Sequence, residues 1–150
     1  DENSVYGEAL LEAHHLESKV AVNPIVVLSD ESMKLVDKHL TFYHGVDAPH
    51  QRSVLVGPDG RYFLNYLAEC IVETDQSEEL NVQALRAHKR QIVSALKAYV
   101  SKPAVFGKFA WLAAYHNHFC DSVSGLPGYA SNLKVPIKLS TTTFGSLVKK

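Results

Sequence analysis

The sequence is short of several things at once. It holds only two cysteines, Cys70 and Cys120, in 150 residues, too few and too far apart for a disulfide framework, and no stretch resembles a secretory signal. A reducing, cytoplasmic setting is the expectation. No window approaches the roughly 18 to 20 consecutive apolar residues that a membrane-crossing helix needs, and the amphipathic stretches lack a basic polar face, so no membrane association is expected. Positive charge is not in excess either: 15 lysines and arginines face 16 aspartates and glutamates, a formal net charge of −1. No face for a nucleic-acid backbone is advertised. The signatures of several enzyme classes are missing as well. No glycine loop opens a helix to cradle phosphate, no nucleophile elbow marks a Ser–His–Asp hydrolase, and Cys120 lacks an activating context.

What is present is apolar material: 46% of residues are hydrophobic, enough for the core of one domain or a large part of one. Residues 7 to 22 read as a helix, with Ala9, Ala13, Leu16 and Val20 on one side and Glu8, Glu12, His15 and Lys19 on the other. Pro24 ends it, and Ile25 to Leu28 fit a buried strand because β-branched residues suit a covered pleat. Ser29 caps a second, short helix that carries Met33, Val36 and Leu40 on its inner side. A loop from Thr41 to Gln51 leads to the strand Ser53 to Val56. Gly57, Pro58, Asp59 and Gly60 then supply turn chemistry, and Arg61 to Leu67 returns as the second arm of a hairpin.

The acidic run from Glu73 to Glu79 is too polar to pack and reads as an internal linker. Beyond it the period is helical. Leu85, Ile92, Leu96 and Tyr99 form one stripe, and Val105, Phe109, Leu112, His116 and Phe119 form another after Pro103, so two helices should lie against each other. From Ser124 the glycines, prolines and threonines indicate an irregular tail, with a strand at Ile137 to Leu139. The expected organisation is therefore 1–72, a helical pair at 73–123 packed on the same domain, and a tail at 124–150. The chain starts at Asp1 and enters a helix with no strand before it, which suggests that further sequence precedes it.

Two stretches carry a resemblance. Tyr6 to Ser18, reading Tyr6, Gly7, Glu8, Ala9, Leu10, Leu11, Glu12, Ala13, His14, His15, Leu16, Glu17, Ser18, followed by Ile25 to Ser29, resembles the class III nucleotide cyclases. There a glycine opens a helix packed on the sheet, and the next strand ends in serine. Tyr62 to Leu67, then His88, Lys89 and Ile92, then Lys108, Trp111, Leu112, Tyr115, His116 and Asn117, resemble the carboxy-terminal region of bacterial pyrimidine cyclases. Those are the uridylate and cytidylate cyclases of Pycsar-type anti-phage defence, and the matches span roughly residues 1 to 120.

The resemblance implies an α+β fold, a class III cyclase-like mixed sheet covered by helices, with two packed helices toward the carboxy-terminal end. It implies a homodimer with shared active sites, a nucleoside triphosphate substrate, and a divalent metal, manganese or magnesium. The metal-binding aspartates are expected ahead of Asp1, since no carboxylate here matches them. The product would be cyclic UMP or, less readily, cyclic CMP, with pyrophosphate, serving a separate cyclic-nucleotide effector protein. The opening helix of the family contributes an asparagine and, one turn later, an arginine. Leu11 and His15 occupy those positions here. Leucine cannot orient a ribose by hydrogen bonding, and histidine is cationic only when protonated. His15 and Glu12 are the candidate catalytic residues, and Glu2, Asn3 and Leu11 the candidates for substrate binding. A catalytically degenerate cyclase-fold module for nucleotide sensing or dimerisation is the alternative that Leu11 and His15 keep open.

Plainer readings stand beside these. Glu8, Glu12, His15 and Lys19 also describe an ordinary solvated helix face with i, i+4 charge pairs. His116, His118 and Cys120 are ligand types for zinc, but only His116 and Cys120 share a helix face, so packing of His116 against the preceding helix is the better account.

Overall fold

Packing parts the chain after Leu64 and again after Phe144. In the computed structural model, which describes residues 5–21, 23–43, 48–75, 77–137 and 144–146, one compact unit comprises Asp1–Leu64 with Gly145–Lys150 and a second comprises Asn65–Phe144. A boundary after residue 72 would fall inside a strand of the second unit, Ile71–Glu73.

The first unit opens with α1 (Val5–His15), which runs straight into a π-helical turn, Leu16–Val20. The amide of Ala21 donates to the carbonyl of Leu16 at 2.7 Å, closing that wider turn. Ser29 caps α2 (Asp30–Leu40) as its sequence predicts, its hydroxyl oxygen accepting from the amide of Ser32 at 3.2 Å, and Met33 is the buried residue of that helix. The short helix α3 (Pro49–Ser53) leads directly into β1 (Val54–Val56).

The expected hairpin forms, β1 pairing antiparallel with β2 (Tyr62–Leu64) so that Leu55 faces Phe63. Gly60 adopts φ of 80°, a conformation that glycine reaches without a Cβ clash. A two-residue strand, β3 (Gly145–Ser146), joins the other edge of β1. The apolar run at 25–28 makes a single bridge and no longer ladder: Val27 lies opposite Phe63, Leu28 donates to Tyr62, and Leu64 donates to Val26. The partner strand is only three residues long, which limits the pairing that this run can make.

In the second unit a 3₁₀ segment, Tyr66–Cys70, is followed by β4 (Ile71–Glu73) and β5 (Glu78–Leu80). These strands pair antiparallel, so the acidic run read as a linker is a hairpin. Its turn is closed by Thr74, whose hydroxyl donates to the Ser77 carbonyl at 2.7 Å and accepts from the Ser77 amide at 3.1 Å. Glu79 points outward while Leu80 is buried, so acidity and strand structure coexist. Two long helices then build the core: α4 (Val82–Ala98), capped by Asn81, and α5 (Pro103–Ser122), with proline in its first turn. Leu85, Ile92 and Leu96 of α4 are buried, as are Leu112, His116 and Phe119 of α5, so both stripes face inward.

The stretch after α5 is irregular in backbone yet not loose. It includes a 3₁₀ turn, Ser131–Leu133, and both Leu133 and Val135 are buried. The strand expected at Ile137 to Leu139 falls largely outside the described residues, and Ile137 itself is not in a strand. Every described strand pair is antiparallel and the sheets are small, which with the long helices makes an α+β protein. Among the described residues no helix is long and apolar enough to cross a membrane.

Candidate functional site

Of the five residues singled out by sequence, Glu2 and Asn3 lie outside the described residues. Leu11, Glu12 and His15 all fall on α1 and are exposed. Leu11 and His15 stand one turn apart and therefore on the same side of the helix. Leu10 and Leu11 are each 70% exposed, an unusual display of large aliphatic side chains on a single helical turn. His15 is the last residue before the π-turn, where the backbone widens.

The residues of the second resembling stretch behave differently. In the second unit Tyr66, His88, Lys89, Tyr115, His116 and Asn117 converge into one polar cluster, half-buried at Tyr66 and His88 and fully buried at Tyr115 and His116, spanning the 3₁₀ segment, α4, α5 and the Ser131–Val135 stretch. Tyr66 Oη lies 3.1 Å from His88 Nε2, and His88 Nδ1 lies 2.9 Å from His116 Nδ1. His116 Nε2 is 3.0 Å from the carbonyl oxygen of Leu133. That carbonyl can only accept, so Nε2 of His116 carries the proton and its Nδ1 accepts from His88. The Nε2 of His88 then accepts from the Tyr66 hydroxyl. One direction of donation therefore runs through four residues.

Beside it, the Tyr115 hydroxyl donates to Asn65 Oδ1 at 2.7 Å and accepts from the amide of Leu67 at 3.1 Å. Asn117 pairs twice with the backbone of Val135, accepting at 2.7 Å and donating at 3.1 Å. Lys89 Nζ donates to the carbonyl of Asn132 at 2.6 Å. Aromatic rings fill the remaining space, Tyr66 meeting Tyr115 edge to face at 5.2 Å and Trp111 meeting Phe144 in the same way at 5.2 Å.

Burial keeps these groups uncharged. It pushes His88 down to about 4, helped by the neighbouring His116, and it lowers His116 against the pull of the Leu133 carbonyl. Tyr66 is pushed up to about 12 and Cys120 to about 11, again chiefly by burial. Cys120 Sγ sits 3.6 Å from His116 Nε2, but a thiol held protonated is a poor nucleophile. His118 turns to Phe144, with ring centroids 5.2 Å apart. Among the described residues no three histidine, cysteine or carboxylate side chains come together as a metal site would require.

The Tyr66–His88–His116 chain is thus held toward its neutral forms beside the Lys89 ammonium, unlike an acid–base pair poised near pH 7. Reading by residue type missed the union of His88 with His116. The spacing carries only half of that signal, the inward orientation: each histidine sits at helical spacing between two buried aliphatic or aromatic residues, Leu85 and Ile92 in one case and Leu112 and Phe119 in the other. Comparison of the chain with protein-family models, with curated proteins and with solved structures yields no match.

Proposed function

We propose that this chain is part of a class III-type nucleotide cyclase that forms a 3′,5′-cyclic pyrimidine monophosphate, cyclic UMP before cyclic CMP, as an anti-phage signal. In this reading the sheet of the first unit belongs to a larger mixed sheet covered by helices. The ordered series of residues from Tyr6 to Asn117 supports the assignment, and one structural observation carries it furthest. α1 presents Leu10 and Leu11, both 70% exposed, beside Glu12 and His15. A helix that shows aliphatic and ionisable side chains together on an uncovered face is suited to a second subunit and a charged ligand at its edge.

In the shared site the ribose 3′-oxygen bonds to the α-phosphorus, the bond from that phosphorus to the departing pyrophosphate breaks, and the 3′-hydroxyl proton leaves. His15 donates a hydrogen bond to the developing negative charge, with Glu12 on the same helix. No metal cluster is present among the described residues, and no step here is routed through one. The divalent ion, manganese or magnesium, and its aspartates belong in this reading to sequence ahead of Asp1. The cyclic product would act on a separate effector protein.

Leu11 favours a second reading. An aliphatic residue where the family places a ribose-orienting amide fits a degenerate module that senses nucleotide or dimerises without turnover. Incubating the intact protein with manganese and each nucleoside triphosphate, then identifying products by mass spectrometry, separates the two. A cyclic pyrimidine nucleotide supports the enzyme. Nucleotide binding by calorimetry with no cyclic product under any condition, phage components included, removes it and leaves the module.

A further inference from the structure

The chain of donation through Tyr66, His88 and His116 ends on the carbonyl of Leu133, and that ending is what matters. The stretch Ser131–Val135 has no long helix or sheet of its own to hold it in place. Side chains of α4 and α5 hold it: His116 at Leu133, Lys89 at Asn132 and Asn117 at Val135. Leu133 is fully buried and Val135 is 3% exposed, so these bonds position apolar residues that complete the core.

We propose that the Tyr66–His88–His116–Leu133 chain is an acid-released latch that fastens the Ser131–Val135 strap onto helices α4 and α5. The inference rests on the second unit alone and does not depend on the cyclase reading.

The physical reason lies in the number of protons the chain can hold. With both imidazoles neutral, every nitrogen has its complement. One added proton is accommodated only if the Tyr66 hydroxyl reverses and accepts. A second sets two N–H groups against each other across the 2.9 Å gap between the Nδ1 atoms. Even the first leaves a positive charge that, among the described residues, no carboxylate hydrogen-bonds.

The surroundings do not compensate. The 3₁₀ segment brings Tyr66, Glu69 and Cys70, and α5 brings Tyr115, His118, Cys120 and Asp121. Lys89 on α4 opposes protonation of His116, and Lys134, within the strap itself, is paired with Asp121 of α5. When the strap lifts, the imidazoles meet water and take up protons at their ordinary value of 6.5, whereas His88 in the closed form resists until about 4. Opening therefore becomes more populated as the medium is acidified, by about tenfold for each pH unit between those limits for one proton.

Two measurements on the intact chain test this. Hydrogen exchange read by mass spectrometry, corrected for the intrinsic pH dependence of exchange, should show protection of the Leu133 and Val135 amides falling about 40-fold from pH 6.5 to 4.5 by that same linkage for one proton. The amides around Ile92 in α4, which exchange only when the helix itself unfolds, should stay better protected than the strap amides at every pH. Strap amides that hold steady, or whose protection equals that of Ile92 throughout, would overturn the latch. Nitrogen-15 spectra of the imidazoles provide the second reading. His88 should be the Nδ1–H tautomer and His116 the Nε2–H tautomer at pH 7.5, and their protonation should track the opening of the strap. The opposite tautomers, or rings that titrate while the strap stays shut, would also overturn it.

Discussion

The two units of this chain treat their apolar side chains in opposite ways. In the second, Leu85, Ile92, Leu112, Phe119 and Leu133 are buried, and even the polar residues Tyr115 and His116 are fully enclosed with their hydrogen bonds made. In the first, Met33, Val54, Leu55 and Phe63 make a small core while Leu10, Leu11, Val26, Leu35 and Phe42 stand in solvent. Burial of large side chains is the main source of folded stability. The second unit thus has the more enclosed core, and the first leaves more of its large apolar side chains in solvent.

The largest effect should follow from emptying the stronger core. Phe119→Ala removes a side chain that is 2% exposed and should cost about 3–5 kcal/mol in a denaturant titration. Tyr115→Phe is subtler, since it deletes one oxygen and strands the amide of Leu67, and should cost about 1–3 kcal/mol. A loss below a few tenths in both variants would break the contrast between the units.

Acid sharpens it next. His88 binds a proton more weakly in the fold, at about 4, than in the unfolded chain at its ordinary 6.5. The stability it contributes is complete above pH 6.5 and drains as the pH falls from 6.5 toward 4, because the unfolded state gains the proton first. Denaturation midpoints followed across that window should decline, and His88→Gln should flatten the curve.

The smallest effect on stability belongs to α1. Leu11→Ala and His15→Ala should each shift unfolding by no more than about 0.5 kcal/mol. In the cyclase reading Leu11→Ala nonetheless weakens self-association in sedimentation velocity, and His15→Ala abolishes turnover. Unchanged turnover removes His15 from the site.

Much of the scaffold was legible in the residues. Turn chemistry at Gly57 to Gly60 specifies a hairpin locally, and the stripes of α4 and α5, with Pro103 between them, need nothing beyond helical period. The acidic hairpin was not legible, because Glu73, Glu78 and Glu79 suggest solvent by composition, whereas the Thr74–Ser77 turn and Leu80 decide the outcome. The π-turn at Leu16–Val20 leaves no pattern in a run that continues the helical period. Of the site, the candidate residues on α1 could be placed on one face. The joining of His88 to His116 could not be, since periodicity orients a side chain without naming its partner across the core.

The sheet of the first unit takes one of its strands from residues far along the chain. β1 and β2 adjoin in sequence, but the strand on the far side of β1 is Gly145–Ser146, reached only after the whole of the second unit has been traversed. During synthesis the hairpin can close at once, while its third strand stays unavailable until residues 65–144 have been made. A stall anywhere in that interval leaves β1 without its Gly145–Ser146 partner, and an unpaired strand edge is a template for aggregation.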